Sequence, residues 1–236
     1  MRAIVFAGVM LLVLSACADS DSGESDEPGR VEAAGALFIE TDGTKLCSAI
    51  AESYPPQCGG DRVFLLDLRP NSVVALTSPS DPTFAPVTWT DYTLRVTGVD
   101  TGNGLSFVEL VDPVYSTTGD GLLVRIADVG VKLGNPVVFP MDLTNVSDTA
   151  ADLTFFNSQR AEVVFDDGSN EVYRWSADMM FAQSIETITL EAGATVPYIL
   201  TGEPIDLPPG DYTARAWVTA DGAQNLVVTW TVTVEE

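Results

Sequence analysis

Histidine is absent from the 236 residues, and basic side chains are scarce, with 11 lysines and arginines against 34 aspartates and glutamates. The first absence removes every Ser-His-Asp triad, every Cys-His pair and every His-ligated zinc. It also removes the side chain that ordinarily trades protons near neutral pH. The second leaves a formal net charge of -23, which repels phosphate backbones and anionic lipid headgroups. No nucleic-acid partner and no electrostatic membrane docking are expected. A P-loop, a dinucleotide fingerprint and a basic patch interleaved with aromatics are also missing, so no cofactor is expected and the chain reads as non-catalytic. Long apolar runs are lacking too: the uncharged stretch from Ala3 to Leu14 falls short of the about 20 residues that cross a bilayer.

What is present begins at that stretch. A single Arg2, the apolar run and Leu14-Ser15-Ala16-Cys17 have the order of a secretory signal, and the last four residues resemble the bacterial lipobox. The resemblance implies a signal peptide over 1–16, cleavage before Cys17 and acylation of its thiol and amine; the alternative is an ordinary secretory signal whose cysteine lies near the cut. Residues 17–34 then read as an acidic tether, because Asp19, Asp21, Glu24, Asp26 and Glu27 stand among Ser, Gly and Pro without apolar surface to bury. The expected location is extracytoplasmic, on the cell membrane, held through lipid alone at Cys17.

With Cys17 lipidated, Cys47 and Cys58 remain as one pair. In an oxidising compartment a disulfide is the default, against the alternative of two buried thiols. The segment Ser48 to Tyr54 between them reads as a short helix stopped by Pro55-Pro56.

Beyond the tether nearly every apolar segment has period 2. Leu226, Val228, Trp230, Val232 and Val234 alternate with Val227, Thr229, Thr231, Thr233 and Glu235, and Tyr212, Ala214, Ala216 and Val218 with Thr213, Arg215 and Trp217, so one face is buried and the other wet. Turn signals such as Asp166-Asp167-Gly168, Ala192-Gly193 and Pro208-Pro209-Gly210 separate the strands. The fold class expected is all-β: an antiparallel immunoglobulin-like sandwich over 119–236, preceded over 35–118 by a small β-barrel or partial sandwich with one short helix. The boundary is placed in the polar stretch from Ser116 to Gly121. Tyr212, just after a Pro-Gly turn, has the position of a tyrosine corner, whose hydroxyl returns to backbone upstream.

The C-terminal unit resembles the intracellular proteinase inhibitor (BsuPI) family over roughly residues 135–235. The residues that carry the likeness are Asp142-Leu143-Thr144-Asn145, Leu153-Thr154-Phe155, Ser158-Gln159-Arg160 and Glu171-Val172-Tyr173-Arg174-Trp175-Ser176. They continue with Met180-Phe181-Ala182-Gln183, Leu190-Glu191-Ala192-Gly193 and Leu207-Pro208-Pro209-Gly210-Asp211-Tyr212. Asn157 departs from the pattern, which has a small residue there. The resemblance implies a sandwich that binds a protein, with a serine protease as the family's target.

Two loops stand out as contact candidates. Ser176 to Gln183 carries Met179, Met180 and Phe181 beside Trp175, either as a partner-binding tip or as a plug under the sandwich. Glu203-Pro204-Ile205-Asp206-Leu207 is stiffened by proline, as an inhibitory loop would be. Asp166, Asp167, Asn170 and Glu171 lack the alternate spacing of a calcium loop and sit where a hairpin turns, so no metal is expected. The reading is therefore a monomeric, non-catalytic envelope lipoprotein that binds protein, with an extracytoplasmic protease as the candidate target. Its alternative is a structural or assembly scaffold of the envelope.

Overall fold

A computed structural model describes residues 30–81, 83–84 and 86–236. The signal segment, Cys17 and the tether up to residue 29 lie outside the described residues. Within the described residues the protein is all-β, and its single helical element is a 3-10 turn at Pro70–Ser72.

The N-terminal part is a seven-stranded sheet of β1 (Arg30–Glu40), β2 (Gly43–Ala51), β3 (Gln57–Phe64), β4 (Leu76–Thr77), β5 (Thr88–Thr90), β6 (Leu94–Asp100) and β7 (Leu105–Leu110). Strand β1 serves three neighbours: Arg30 to Gly35 pairs with β6, Ala36 to Glu40 pairs with β2, and Phe38 and Ile39 also pair with β5. Gly35 stands at the switch, where a Cβ would lie 2.7 Å from the carbonyl oxygen of Cys47, so only glycine permits this approach. A bridge between Leu65 and Leu105 brings the ends of β3 and β7 together and closes β3-β2-β1-β6-β7 into a small barrel. Leu37, Leu46, Leu94, Val96 and Leu105 fill it.

Two sequence expectations change here. The helix over Ser48 to Tyr54 does not form; Ala49, Ile50 and Ala51 pair with Gly59, Cys58 and Gln57. A lone helix of that length is marginal in water, whereas the ladder satisfies the same backbone groups and joins β3 to the sheet. The strand pattern also starts at Arg30, so Val31 to Ala34, read as the end of the tether, are strand residues paired with β6.

The C-terminal part is a sandwich. Its strands are β8 (Val114–Gly119), β9 (Leu122–Ala127), β10 (Val131–Lys132), β11 (Val137–Asn145), β12 (Ala151–Phe155), β13 (Ala161–Asp166), β14 (Glu171–Arg174), β15 (Glu186–Leu190), β16 (Thr195–Gly202), β17 (Gly210–Val218) and β18 (Val228–Glu235). One sheet has the order β10-β18-β17-β13-β14, the other β16-β11-β9-β8, and β12 with β15 forms a two-stranded ribbon. Side chains from both sheets interleave in one core, including Val124, Phe139, Met141, Leu143, Phe165, Ala216, Trp230 and Val232. Strand β18 alternates buried and exposed along its whole length, as its period-2 pattern requires. Tyr212 closes a tyrosine corner, its hydroxyl donating to the Pro208 carbonyl at 2.8 Å.

The polar stretch Ser116 to Gly121, expected as a break, is instead an edge strand and its turn. Strand β8 pairs with β9 from Val114↔Ala127 to Gly119↔Leu122. Asp120 and Gly121 both take positive φ, as a two-residue hairpin of the primed type demands. The chain therefore enters the sandwich near Asp112 and Pro113. There the buried Asp112 accepts hydrogen bonds from Arg95 Nε at 2.8 Å and Nη2 at 2.5 Å.

The barrel and the sandwich share a junction. On the outer face of the β16-β11-β9-β8 sheet, Arg125 and Asp142 lie directly across from each other and pair through two bonds of 3.0 and 2.7 Å. Arg125 also donates to the Asn71 carbonyl at 2.7 Å, and Asp142 accepts from the Ala75 amide at 3.3 Å. Beside them, the Tyr92 hydroxyl donates to the Val74 carbonyl at 2.8 Å. Ala127, Val129, Val138 and Ile199 of the sandwich pack into the barrel's apolar cluster. Asp142 is consequently buried although it points away from the sandwich core.

Candidate partner-binding site

The loop after β14 is anchored at its root by Glu162, which is 2% exposed. Its carboxylate accepts from the Ser176 hydroxyl, from the Ser176 amide at 3.3 Å, from Arg174 Nη1 at 3.1 Å and from Gln159 Nε2 at 3.1 Å. A buried carboxylate is tolerated only when its lone pairs are filled in this way. The Trp175 amide donates to the Val163 carbonyl at 2.9 Å, which carries the β13 pairing one residue past β14. The loop then turns through Met179 N to Ser176 O at 3.1 Å. It is tied down again at Ala182, whose amide donates to the Ser158 hydroxyl at 2.8 Å while its carbonyl accepts from the Ser158 amide at 3.0 Å.

Between these two ties the candidate residues divide. Trp175 and Phe181 are half-buried, their rings 6.1 Å apart, and the Trp175 indole N–H donates to the Thr201 carbonyl at 3.0 Å. Met179 is half-buried and Met180 is 100% exposed. Plug and tip thus coexist in one loop. Exposure continues at Phe156 (59%) and Ile185 (75%), positions that extend the register in which Phe155 faces Glu186. Sequence reasoning missed both. The doublet Phe155-Phe156 on an alternating strand was a usable signal, since one of the two rings must face outward.

The second loop forms the opposite wall. Ile205 is buried and pins it to the core, and a groove of about 340 Å³ opens between Trp175 and Met179 on one side and Glu203 to Asp206 on the other. The two loops that the sequence singled out separately are therefore neighbours. Arg174 at the groove is already engaged by Glu171, at 2.8 and 2.6 Å, and by Glu162. Asp178, Glu203 and Asp206 are exposed at the groove and have no ion pair or hydrogen-bond partner among the described residues.

The remaining candidates are structural. Cys47 and Cys58 form a disulfide with Cα atoms 5.5 Å apart. Asp167 caps its hairpin turn, accepting from the amides of Ser169 and Asn170 at 2.8 Å; those amides hold its carboxyl below the usual carboxylate range. Among the described residues no group of three or more His, Cys, Asp or Glu side chains is placed to hold a metal ion. A larger groove in the barrel, about 670 Å³, lies beside Tyr54, Phe84 and Pro56. Its carboxylates Glu40 and Asp42 are occupied by Lys45 at 2.5 and 3.1 Å.

An all-β protein with a sandwich that presents an apolar, acid-rimmed loop pair at one end is the class these features define. Residues 127–223 match the family model described as intracellular proteinase inhibitor, BsuPI. No curated protein matches the chain. Among solved structures, a β-glucosidase from Listeria innocua in complex with glucose is similar at 15% identity over 56% of this chain, with a TM-score of 0.28; the chain spans only 18% of that enzyme. The CARDB domain of a Pyrococcus furiosus protein in complex with di-metal ions aligns over 61% of this chain and 99% of its own length, at 16% identity and a TM-score of 0.28. A β-glucosidase from Erythrobacter marinus aligns at 12% identity over 53% of this chain and 16% of its own, again with a TM-score of 0.28.

Proposed function

We propose that the protein is a non-catalytic, lipid-anchored envelope protein whose sandwich binds another protein through the 176–185 and 203–207 loops, with an extracytoplasmic protease as its target. The observation that carries the reading is the joining of an inhibitor-family match at 127–223 to a loop pair that is rigid at its root and apolar at its tip. Glu162 and Ser158 fix both ends of the first loop, so little conformational entropy is lost when a partner closes over it. Met180, Phe156 and Ile185 offer the exposed apolar contact area that such interfaces bury. The absence of histidine from the chain supports a binding rather than a hydrolytic role. The acyl chains on Cys17 would hold the molecule at the outer face of the cytoplasmic membrane.

Two measurements test this. Cys17→Ala should move the protein from the membrane pellet to the soluble fraction; pelleting of the variant would remove the anchor. The full chain carrying Cys17→Ala, immobilised and exposed to envelope extract, should enrich a protease that is lost when residues 178–182 are deleted. Equal recovery by both baits, or no protease with either, would leave the sandwich as a spacer, a role the rigid Arg125–Asp142 junction also suits.

A further inference from the structure

We propose that the groove between the two loops receives a lysine or arginine side chain from an extended loop of the partner protein. This inference rests on the reading of these loops as a protein-binding site. Trp175 and the half-buried Met179 give the groove one apolar wall, and an alkyl stem can lie along such a surface while its charged head stays at the rim. At the rim stand the carboxylates of Asp178, Glu203 and Asp206, without a counter-charge among the described residues. The nearest cation, Arg174, is held by two other carboxylates, Glu162 and Glu171, and is turned to the support of the loop.

Charge complementarity selects the occupant. Three exposed carboxylates around one groove, none of them ion-paired among the described residues, favour a cation brought in by a partner. An anionic side chain would meet like charge there, and a purely aliphatic one would leave the carboxylates unpaired. The barrel's larger groove provides the contrast: its two acids, Glu40 and Asp42, share the ammonium of Lys45, so each already has a cation beside it. A net charge of -23 extends the same preference over the molecule and speeds encounter with a basic surface.

The test uses the full chain with Cys17→Ala, labelled with nitrogen-15, and two capped pentapeptides, Gly-Gly-Lys-Gly-Gly and the same peptide with norleucine at its centre. The lysine peptide is expected to shift the Trp175 indole N–H resonance saturably, and the norleucine peptide to leave it unmoved. The combined variant Asp178→Asn, Glu203→Gln, Asp206→Asn should weaken lysine-peptide binding by about ten-fold or more. A distant variant of equal charge change, Asp61→Asn, Asp100→Asn, Asp120→Asn, should keep it within about two-fold. Equal response to norleucine, unchanged affinity in the groove variant, or an unmoved Trp175 signal at millimolar lysine peptide would each overturn the proposal. The two readings fail separately: peptide binding with no captured protease retires the protease target and keeps the cation groove. A protease captured equally by the wild-type and the groove variant retires the cation groove and keeps the binding site.

Discussion

Glu162 shows how a single buried charge can organise a surface loop. It collects donors from Ser176, Arg174, Gln159 and the Val163 amide, so removing it strands several polar groups at once. Glu162→Ala is expected to cost about 3 kcal/mol of stability, as loss of one member of a buried hydrogen-bonded pair does. Urea unfolding should show this as a lower midpoint with an unchanged slope. Tyrosines make the opposite case. Burial pushes the phenols of Tyr173 and Tyr198 up to about 12, against about 10 in an unfolded chain. The folded state therefore holds its protons through a window in which the unfolded state releases them. Stability is complete below pH 10 and is lost as pH rises from 10 towards 12. Tyr198 has no hydrogen-bond partner among the described residues, so Tyr198→Phe should be nearly neutral at pH 7. It should also flatten that alkaline loss in unfolding curves taken at pH 9 and 11.5.

At the scale of elements, the β2–β3 hairpin is the part whose form depended most on its partners. Of its residues Ser48 to Ala51 only Ile50 has a strong strand preference, and local propensity is overridden by pairing across to Gln57–Gly59. The disulfide between Cys47 and Cys58 closes a short loop that the unfolded chain would otherwise sample freely. Replacing both cysteines with alanine should lower stability by about 3 kcal/mol on the chain-entropy account, read as a fall in the guanidinium midpoint of the variant relative to the oxidised protein. The edge strand β8 was obscured for a different reason. Its Ser-Thr-Thr-Gly composition is that of a loop, and only the neighbouring β9 and the positive-φ turn at Asp120-Gly121 make it a strand.

For the molecule as a whole, the Arg125–Asp142 pair ties the barrel's 71–75 segment to the sandwich. Asp142→Ala would leave a partly buried guanidinium and the Ala75 amide without their acceptor, at a cost of about 3 kcal/mol. The expected calorimetric trace changes from one transition in the native protein to two in the variant, because the junction no longer couples the halves; a single shifted transition would show that apolar packing alone suffices. The same junction explains why β11 departs from simple alternation. Met141 and Leu143 face the sandwich core while Pro140 and Asp142 are covered by the barrel.

The period-2 patterns, the turn residues and the cysteine count determined the all-β class, the placing of most sandwich strands, the tyrosine corner and the disulfide, because each is a local or counting property of the chain. Met180's neighbours and the loop at 203–207 were also visible as apolar or proline-stiffened loop residues. Only the tertiary structure decided that these two loops share one groove, that Phe156 and Ile185 stand exposed past the end of the β12–β15 ladder, and that Asp142 is a junction rather than a surface acid. Those facts depend on which strands lie side by side, and contacts between residues tens of positions apart leave no periodic trace in the sequence that makes them.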